Sequence, residues 1–182
     1  MTIGRQGKIK MMFKTIETKK SYFTMIQMRH SLNMILSEMS GINWKPHIVL
    51  GINRGGCVPG IYLSHALNVP HETLDIRLRD HKSKPSLAVL EKANAFQKKI
   101  LIVDDINDTG ATFNWIIDDW KAGCLPDDPK WDNIFGNNVR FATLTDNLAS
   151  EFTSEVSYTC HEVNKSEEDV WLVYPWENVG EY

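Results

Sequence analysis

Cysteine is scarce in this chain. Three thiols in 182 residues, Cys57, Cys124 and Cys160, lie far apart and lack any paired C-x-x-C spacing. That pattern argues against a disulfide framework or a zinc site. Reduced thiols are the expectation, which points to the cytoplasm. An excess of basic charge is also missing. The net charge is −3 and the pI is near 6.1, without the clustered Lys and Arg of a nucleic-acid surface. No apolar run approaches the ~18 residues of a membrane span, and the opening MTIGRQGKIKMMFK lacks the apolar stretch of a signal peptide. Repeats and low-complexity tracts are absent as well. What is present, 42% apolar and 24% charged residues, is ordinary for a globular chain, and the length suits a single domain over 1–182.

The apolar pattern alternates between helical and strand-like segments. Residues 1–20 carry no periodicity and read as an arm with at most a short strand. Met25, Met28, Leu32, Ile35, Leu36 and Met39 recur at helical spacing, with Ser21 as N-cap and Gly41 as the stop. Ile48-Val49-Leu50 reads as a buried strand leading into Asn53-Arg54-Gly55-Gly56, followed by a helix over 58–67 that buries Ile61, Leu63, Ala66 and Leu67. A second strand is expected over 73–77, then a polar loop from Arg79 to Ser86. The third strand, Ile100-Leu101-Ile102-Val103, ends in Asp104-Asp105, and Phe113, Ile116, Ile117 and Trp120 mark one face of the next helix. Residues 124–138 read as a long connection of inserted character. Further strands are expected over 139–144 and 156–160. This alternation predicts an α/β fold with a mostly parallel sheet flanked by helices.

Two loops follow buried strands and precede helices, so both belong to one crevice at the carboxyl ends of the strands. Thr109, Gly110, Ala111 and Thr112 sit at a helix N-terminus, where free N–H groups and the helix dipole attract a phosphate. Asp104 and Asp105 repel an anion, and suit either ribose hydroxyls or a magnesium ion held jointly with pyrophosphate. The Arg54-Gly55-Gly56 loop offers backbone N–H groups to an anion and adds a guanidinium. Each feature also has a plainer reading: a capped strand-to-helix turn with solvated acids, and a tight glycine turn with Arg54 on the surface.

The thirteen residues Ile100-Leu101-Ile102-Val103-Asp104-Asp105-Ile106-Asn107-Asp108-Thr109-Gly110-Ala111-Thr112 resemble the phosphoribosyl pyrophosphate (PRPP) signature of type I phosphoribosyltransferases. Asn53 to Gly60 resembles that family's pyrophosphate loop, which often holds a cis peptide. Trp171-x-x-x-Pro175-Trp176-Glu177 is similar to the C-terminal segment of bacterial xanthine–guanine enzymes. The resemblance covers roughly residues 42–177, with gaps. It implies the type I fold, with a small C-terminal hood over about 146–182. It also implies transfer of phosphoribose from PRPP to a base in purine salvage, with Mg²⁺ as cofactor and a homodimer or homotetramer as the assembly.

By this resemblance PRPP is bound by Arg54, Gly55, Gly56, Asp104, Asp105, Asp108, Thr109, Gly110, Ala111, Thr112 and Arg79, with Asp105 at the metal and Arg54 aiding departure of pyrophosphate. Arg77, Lys82 and Lys84 would join Arg79 in a loop that closes over the site, although the family's Ser-Tyr is replaced here by Leu78-Arg79. Trp171 and Leu172 are the base-pocket residues; packing of the C-terminus is their plainer role. An acid before Thr-Gly, here Asp108, is typical of enzymes for hypoxanthine, guanine or xanthine. A carboxyl near N7 of such a base exchanges a proton as N9 attacks; Asp108 is also a good helix N-cap. One departure stands out: xanthine–guanine enzymes place a Lys after the next strand to bind O6, where this chain has Asn147 or, by the other alignment, Asp146; an Asn amide can still donate to O6, without the charge. Two alternatives stay open, a PRPP- or nucleotide-binding regulator with the same fold and an enzyme for another base.

Overall fold

The computed structural model describes residues 19–76, 78, 97–123 and 127–177. Arg77, Arg79, Lys82, Lys84 and Cys124 fall outside them. Among the described residues, seven strands and three α-helices follow in the order β1 (Lys19–Tyr22), α1 (Met25–Gly41), β2 (Ile48–Ile52), α2 (Cys57–Leu67), β3 (His71–Leu74), β4 (Ile100–Asn107), α3 (Ala111–Gly123), β5 (Val139–Asn147), β6 (His161–Val163) and β7 (Val170–Val173).

Five strands form one parallel sheet in the order β3-β2-β4-β5-β6, and β1 pairs with β7 in a second, two-stranded parallel sheet. β2 and the first half of β4, Ile100 to Val103, read as unbroken apolar runs because neighbouring strands and helices cover both faces. Their side chains alternate between two cores. Ile48, Leu50, Ile52, Ile100 and Ile102 join Phe113, Ile116, Ile117 and Trp120 of α3. Val49, Leu101 and Val103 join Met28, Leu32, Ile35 and Met39 of α1 and Leu63 of α2. From β2 the chain runs outward to β3, then returns to β4 on the other side. The loops after β2 and β4 therefore meet at a switch point, where open parallel sheets bind ligands.

Several boundaries differ from the sequence reading. α1 is capped by Thr24, not Ser21: Thr24 and Gln27 exchange side-chain and backbone hydrogen bonds in a capping box. β3 begins at His71, two residues before the expected strand, because polar His71 and Glu72 pair along β2. On α2 the buried face is Pro59, Gly60, Leu63 and Ser64, while Ile61 and Ala66 point outward. Residues 156–160 form no strand beyond a bridge from Tyr158 to Ala142; the edge strand is β6. The 127–138 connection is part of the core, since its 3₁₀ turn Pro129–Asn133 buries Trp131, and Ile134 follows beneath α3. Among the described residues no helix is long and apolar enough to cross a membrane.

Candidate active site

A cleft of about 270 Å³ opens at the carboxyl end of β4, walled by residues 104–113 and, across from them, by Lys165, Trp171, Leu172, Tyr174 and Glu177. β7 supplies Trp171 and Leu172 in pairs with Lys20 and Ser21 of β1. The hood over the cleft is thus built from both ends of the described chain, further tied by Lys19 Nζ to Glu168 Oε1 at 2.6 Å. Trp171 is 52% exposed, a large apolar surface left open beside the cavity. Tyr174, fully buried behind the wall, hydrogen-bonds the Asp105 carbonyl at 3.0 Å and Thr145 Oγ1 at 3.0 Å. Burial, then the charge of Asp105, pushes its phenol upward.

Asp104 and Asp105 sit where the sheet gives way to the cleft. Burial, then the charge of Asp105, raises the Asp104 carboxyl well above the usual range, although the backbone N–H groups of Asp105 and Gly56 oppose the shift. Burial, then the charge of Glu177, pushes Asp105 up to about 6. The glycine loop after β2 lies directly against these acids. A Cβ at Gly55 would overlap the Asp105 carboxylate, and one at Gly56 would overlap the Val103 carbonyl. Two consecutive glycines are required here by contact alone. The Asn53–Arg54 peptide is cis, as the resemblance implies. The Arg54 side chain is exposed and does not line the cleft.

The loop from Asp108 to Thr112 turns sharply into α3. Gly110 takes φ +83°, and a Cβ there would overlap the backbone of Phe152, with its Cα at 2.7 Å. The segment after β5 buttresses this turn: Glu151 N donates to Thr109 O at 3.1 Å, and Asn114 joins Glu151 O to Thr153. Sequence reasoning missed this support, since residues 148–153 have no motif.

Asp108 departs from the helix-cap reading. Thr109 Oγ1 accepts from Ala111 N, and the Asp108 carboxylate instead faces Lys165 Nζ at 3.0 Å. Lys165 was not anticipated from the sequence, because it follows β6 rather than β5. Asn147, expected at the base, is 6% exposed and does not line the cleft. Its amide donates to Asp108 O at 2.8 Å and accepts from Ala149 N and Lys165 N. The amide is thus engaged with the turns beside the cavity, where the sequence reading set it at the base. The structure therefore gathers Asp104, Asp105, residues 108–112, Trp171 and Leu172 around one cavity, with Gly55 and Gly56 against its acid wall.

Comparison with known proteins places this geometry. Residues 24–175 match the phosphoribosyl transferase domain. The structure is similar to purine phosphoribosyltransferase from Pyrococcus horikoshii, with 20% identity over 91% of this chain and 98% of that one, at a TM-score of 0.62. It is also similar to the xanthine-guanine-hypoxanthine phosphoribosyltransferase of Helicobacter pylori, with 14% identity over 88% and 94% of the two chains, at a TM-score of 0.60. The hypoxanthine-guanine phosphoribosyltransferase of Bacillus anthracis gives 16% identity over 82% and 85%, at a TM-score of 0.56. At these identities the likeness is one of fold. The family match covers most of the chain, and with a parallel sheet flanked by helices and the acid pair at its switch point, this protein belongs to the phosphoribosyltransferase family.

Proposed function

We propose that this protein transfers the phosphoribosyl group of PRPP to a 6-oxopurine, hypoxanthine, guanine or xanthine, releasing pyrophosphate and a nucleoside monophosphate. The observation that carries this reading is the Asp108–Lys165 pair, 3.0 Å apart, in a cleft that also holds a helix N-terminus and the exposed Trp171. A 6-oxopurine presents O6 and N7 side by side. An ammonium donates to O6, and a carboxylate exchanges the N7 proton. Adenine presents an amino donor at the same corner, which an ammonium cannot serve.

In this reading the 5′-phosphate sits on the N–H groups and hydroxyls of Thr109 to Thr112 at the start of α3. Asp104 and Asp105 hold the ribose hydroxyls, and Trp171 with Leu172 covers the base. N9 attacks C1′ as the C1′–O bond to pyrophosphate breaks, and the proton leaving the base goes to Asp108. The transition state resembles a ribosyl oxocarbenium ion, so positioning and charge stabilisation supply most of the rate. Gly55 and Gly56 bring the pyrophosphate loop close to C1′, and Arg54 swings toward the leaving group.

The acid wall fits a magnesium ion. Burial raises the proton affinity of both carboxylates, aided at Asp104 by the charge of Asp105 and at Asp105 by the charge of Glu177, and carboxylate oxygens are the ligands that magnesium prefers. Among the described residues no three His, Cys, Asp or Glu side chains are grouped to hold a metal by themselves, so Asp105 and Asp104 would hold it jointly with oxygens of the substrate. When bound, the ion neutralises charge on the departing pyrophosphate.

Steady-state assays with PRPP across a panel of bases test the proposal. Hypoxanthine, guanine or xanthine should lead, and adenine as the best substrate overturns it. Asp108→Asn should lower kcat about 10²-fold or more while PRPP affinity changes little. Binding of PRPP without turnover of any base would favour the regulator.

A further inference from the structure

Asn147 ends β5 and is 6% exposed. Its Nδ2 donates to Asp108 O at 2.8 Å and lies 3.5 Å from Asp108 Oδ1. Its Oδ1 accepts from Lys165 N at 3.0 Å and Ala149 N at 3.2 Å. The Ala149 bond closes a local turn. The other two join segments far apart in sequence, the turn after β4 and the turn after β6, and these are the two residues whose side chains form the ion pair in the cleft. Backbone and side-chain links together make one closed ring: Asp108 to Asn147, Asn147 to Lys165, and Lys165 back to Asp108.

The ring matters because the ion pair is weak by itself. Asp108 is 45% exposed at its side chain and Lys165 19%, and a partly solvated Lys–carboxylate pair contributes about 0–1 kcal/mol. Lysine's flexible four-carbon stem gives such a pair no fixed geometry. Fixing the backbone at both ends removes much of that freedom. Only an amide has a donor for the Asp108 carbonyl and an acceptor for the Lys165 N–H. A carboxylate would set oxygen against oxygen, and a hydroxyl is too short to span both.

We propose that Asn147 is a positioning residue: it holds Lys165 Nζ against Asp108, so that selection of the base depends on a side chain that never touches it. This rests on the reading of Asp108 and Lys165 as the base-recognising pair.

Kinetics of Asn147→Ala, Asn147→Asp, Lys165→Gln and the Asn147→Ala/Lys165→Gln double variant test the proposal, with thermal unfolding measured on each. Asn147→Ala should lower kcat/KM for the preferred oxopurine about 10- to 100-fold, the loss expected when a reacting group is misplaced by about an ångström, and leave KM for PRPP nearly unchanged. Asn147→Asp keeps both N–H acceptors but sets a buried carboxylate against the Asp108 carbonyl, so it should lose stability as well as base efficiency, and its kinetics are read well below its unfolding midpoint. The double variant should be no worse than Lys165→Gln alone, because residues acting through one another are not additive. Equal losses for PRPP and base, or additive losses in the double variant, overturn the positioning role.

A second measurement does not need activity. Acetylation of Lys165, followed by peptide mass spectrometry, should be slow in wild type and about tenfold faster in Asn147→Ala and Asn147→Asp, with the other lysines unchanged. An unaltered Lys165 rate overturns the proposal whether or not the protein turns over any base. A wild-type protein that converts no oxopurine but shows the protected Lys165 defeats the functional reading alone.

Discussion

Replacing Asp105 with Asn removes a charge from the cavity wall without changing its shape. Burial, and next the charge of Glu177, move this carboxyl from the ordinary 3.8 to about 6. The folded protein therefore keeps a proton that the unfolded chain has already released above about pH 4. With more protons bound in the folded state, stability falls as pH rises, and the fall ends once the folded carboxyl is itself ionised above about pH 6. At ~1.4 kcal/mol per tenfold change in proton affinity, the cost of ionising this group in the fold reaches about 3 kcal/mol by pH 7 to 8. Asp105→Asn should thus be more stable than wild type by about 1–3 kcal/mol at pH 8, with the gap closing toward pH 4. Urea unfolding followed by tryptophan fluorescence measures it, and calorimetry should show weakened PRPP binding in the same variant. The reasoning fails if the variant gains nothing at pH 8, or if its advantage grows on acidification.

Two substitutions test how the wall is held. Gly110→Ala must place a Cβ at φ +83° against the Phe152 backbone; left-handed strain of about 1–2 kcal/mol adds to overpacking of about 1–3 kcal/mol. A loss of roughly 2–5 kcal/mol by urea unfolding, with weaker PRPP binding, is expected, and wild-type stability would show that the 151–152 segment yields easily. Tyr174→Phe leaves the Asp105 carbonyl and the Thr145 hydroxyl without their shared partner. It should cost about 1–3 kcal/mol in the same assay, and a neutral result would mean that another group replaces the phenol.

The legible parts of the sequence were those where local chemistry and tertiary position agree. The β4–α3 segment combines a fully buried run, two acids and Thr-Gly, so its strand, turn and helix were all readable, down to the α3 face of Phe113, Ile116, Ile117 and Trp120. β3 was read with its bounds shifted, and β6 was not read at all, because it is short, lies at the edge of the sheet and starts with a polar pair, His161-Glu162. Their strand character comes from pairing with β2 and β5, which no local pattern reports. Lys165 was invisible for a related reason. A lysine among Asn164, Ser166 and Glu167 reads as a solvated loop, and only the pairing of β6 with β5 brings it across from Asp108. Asn147 was singled out beside the base; the structure places it next to the site, buried, with its amide bonded to Asp108 and Lys165.

The charge pattern of the cleft follows from how the chain is wound. The described residues that line it include four carboxylates, Asp104, Asp105, Asp108 and Glu177, against one ammonium, Lys165. A pocket so acidic repels a bare polyphosphate, and the attraction at the start of α3 reaches only about one helical turn. Those opposing fields divide the cavity. In the proposed function the phosphate goes to the turn of Thr109 to Thr112 at the start of α3, where the helix dipole favours an anion. In the proposed function hydroxyl and cation partners go to Asp104 and Asp105, whose raised proton affinities favour a positively charged neighbour. The Asp108 end differs because Lys165 already neutralises it, so a neutral, polar, flat ligand fits there at least desolvation cost. On that reading one strand-to-helix turn offers three chemically distinct compartments, an acid pair, a helix start and the Asp108–Lys165 pair.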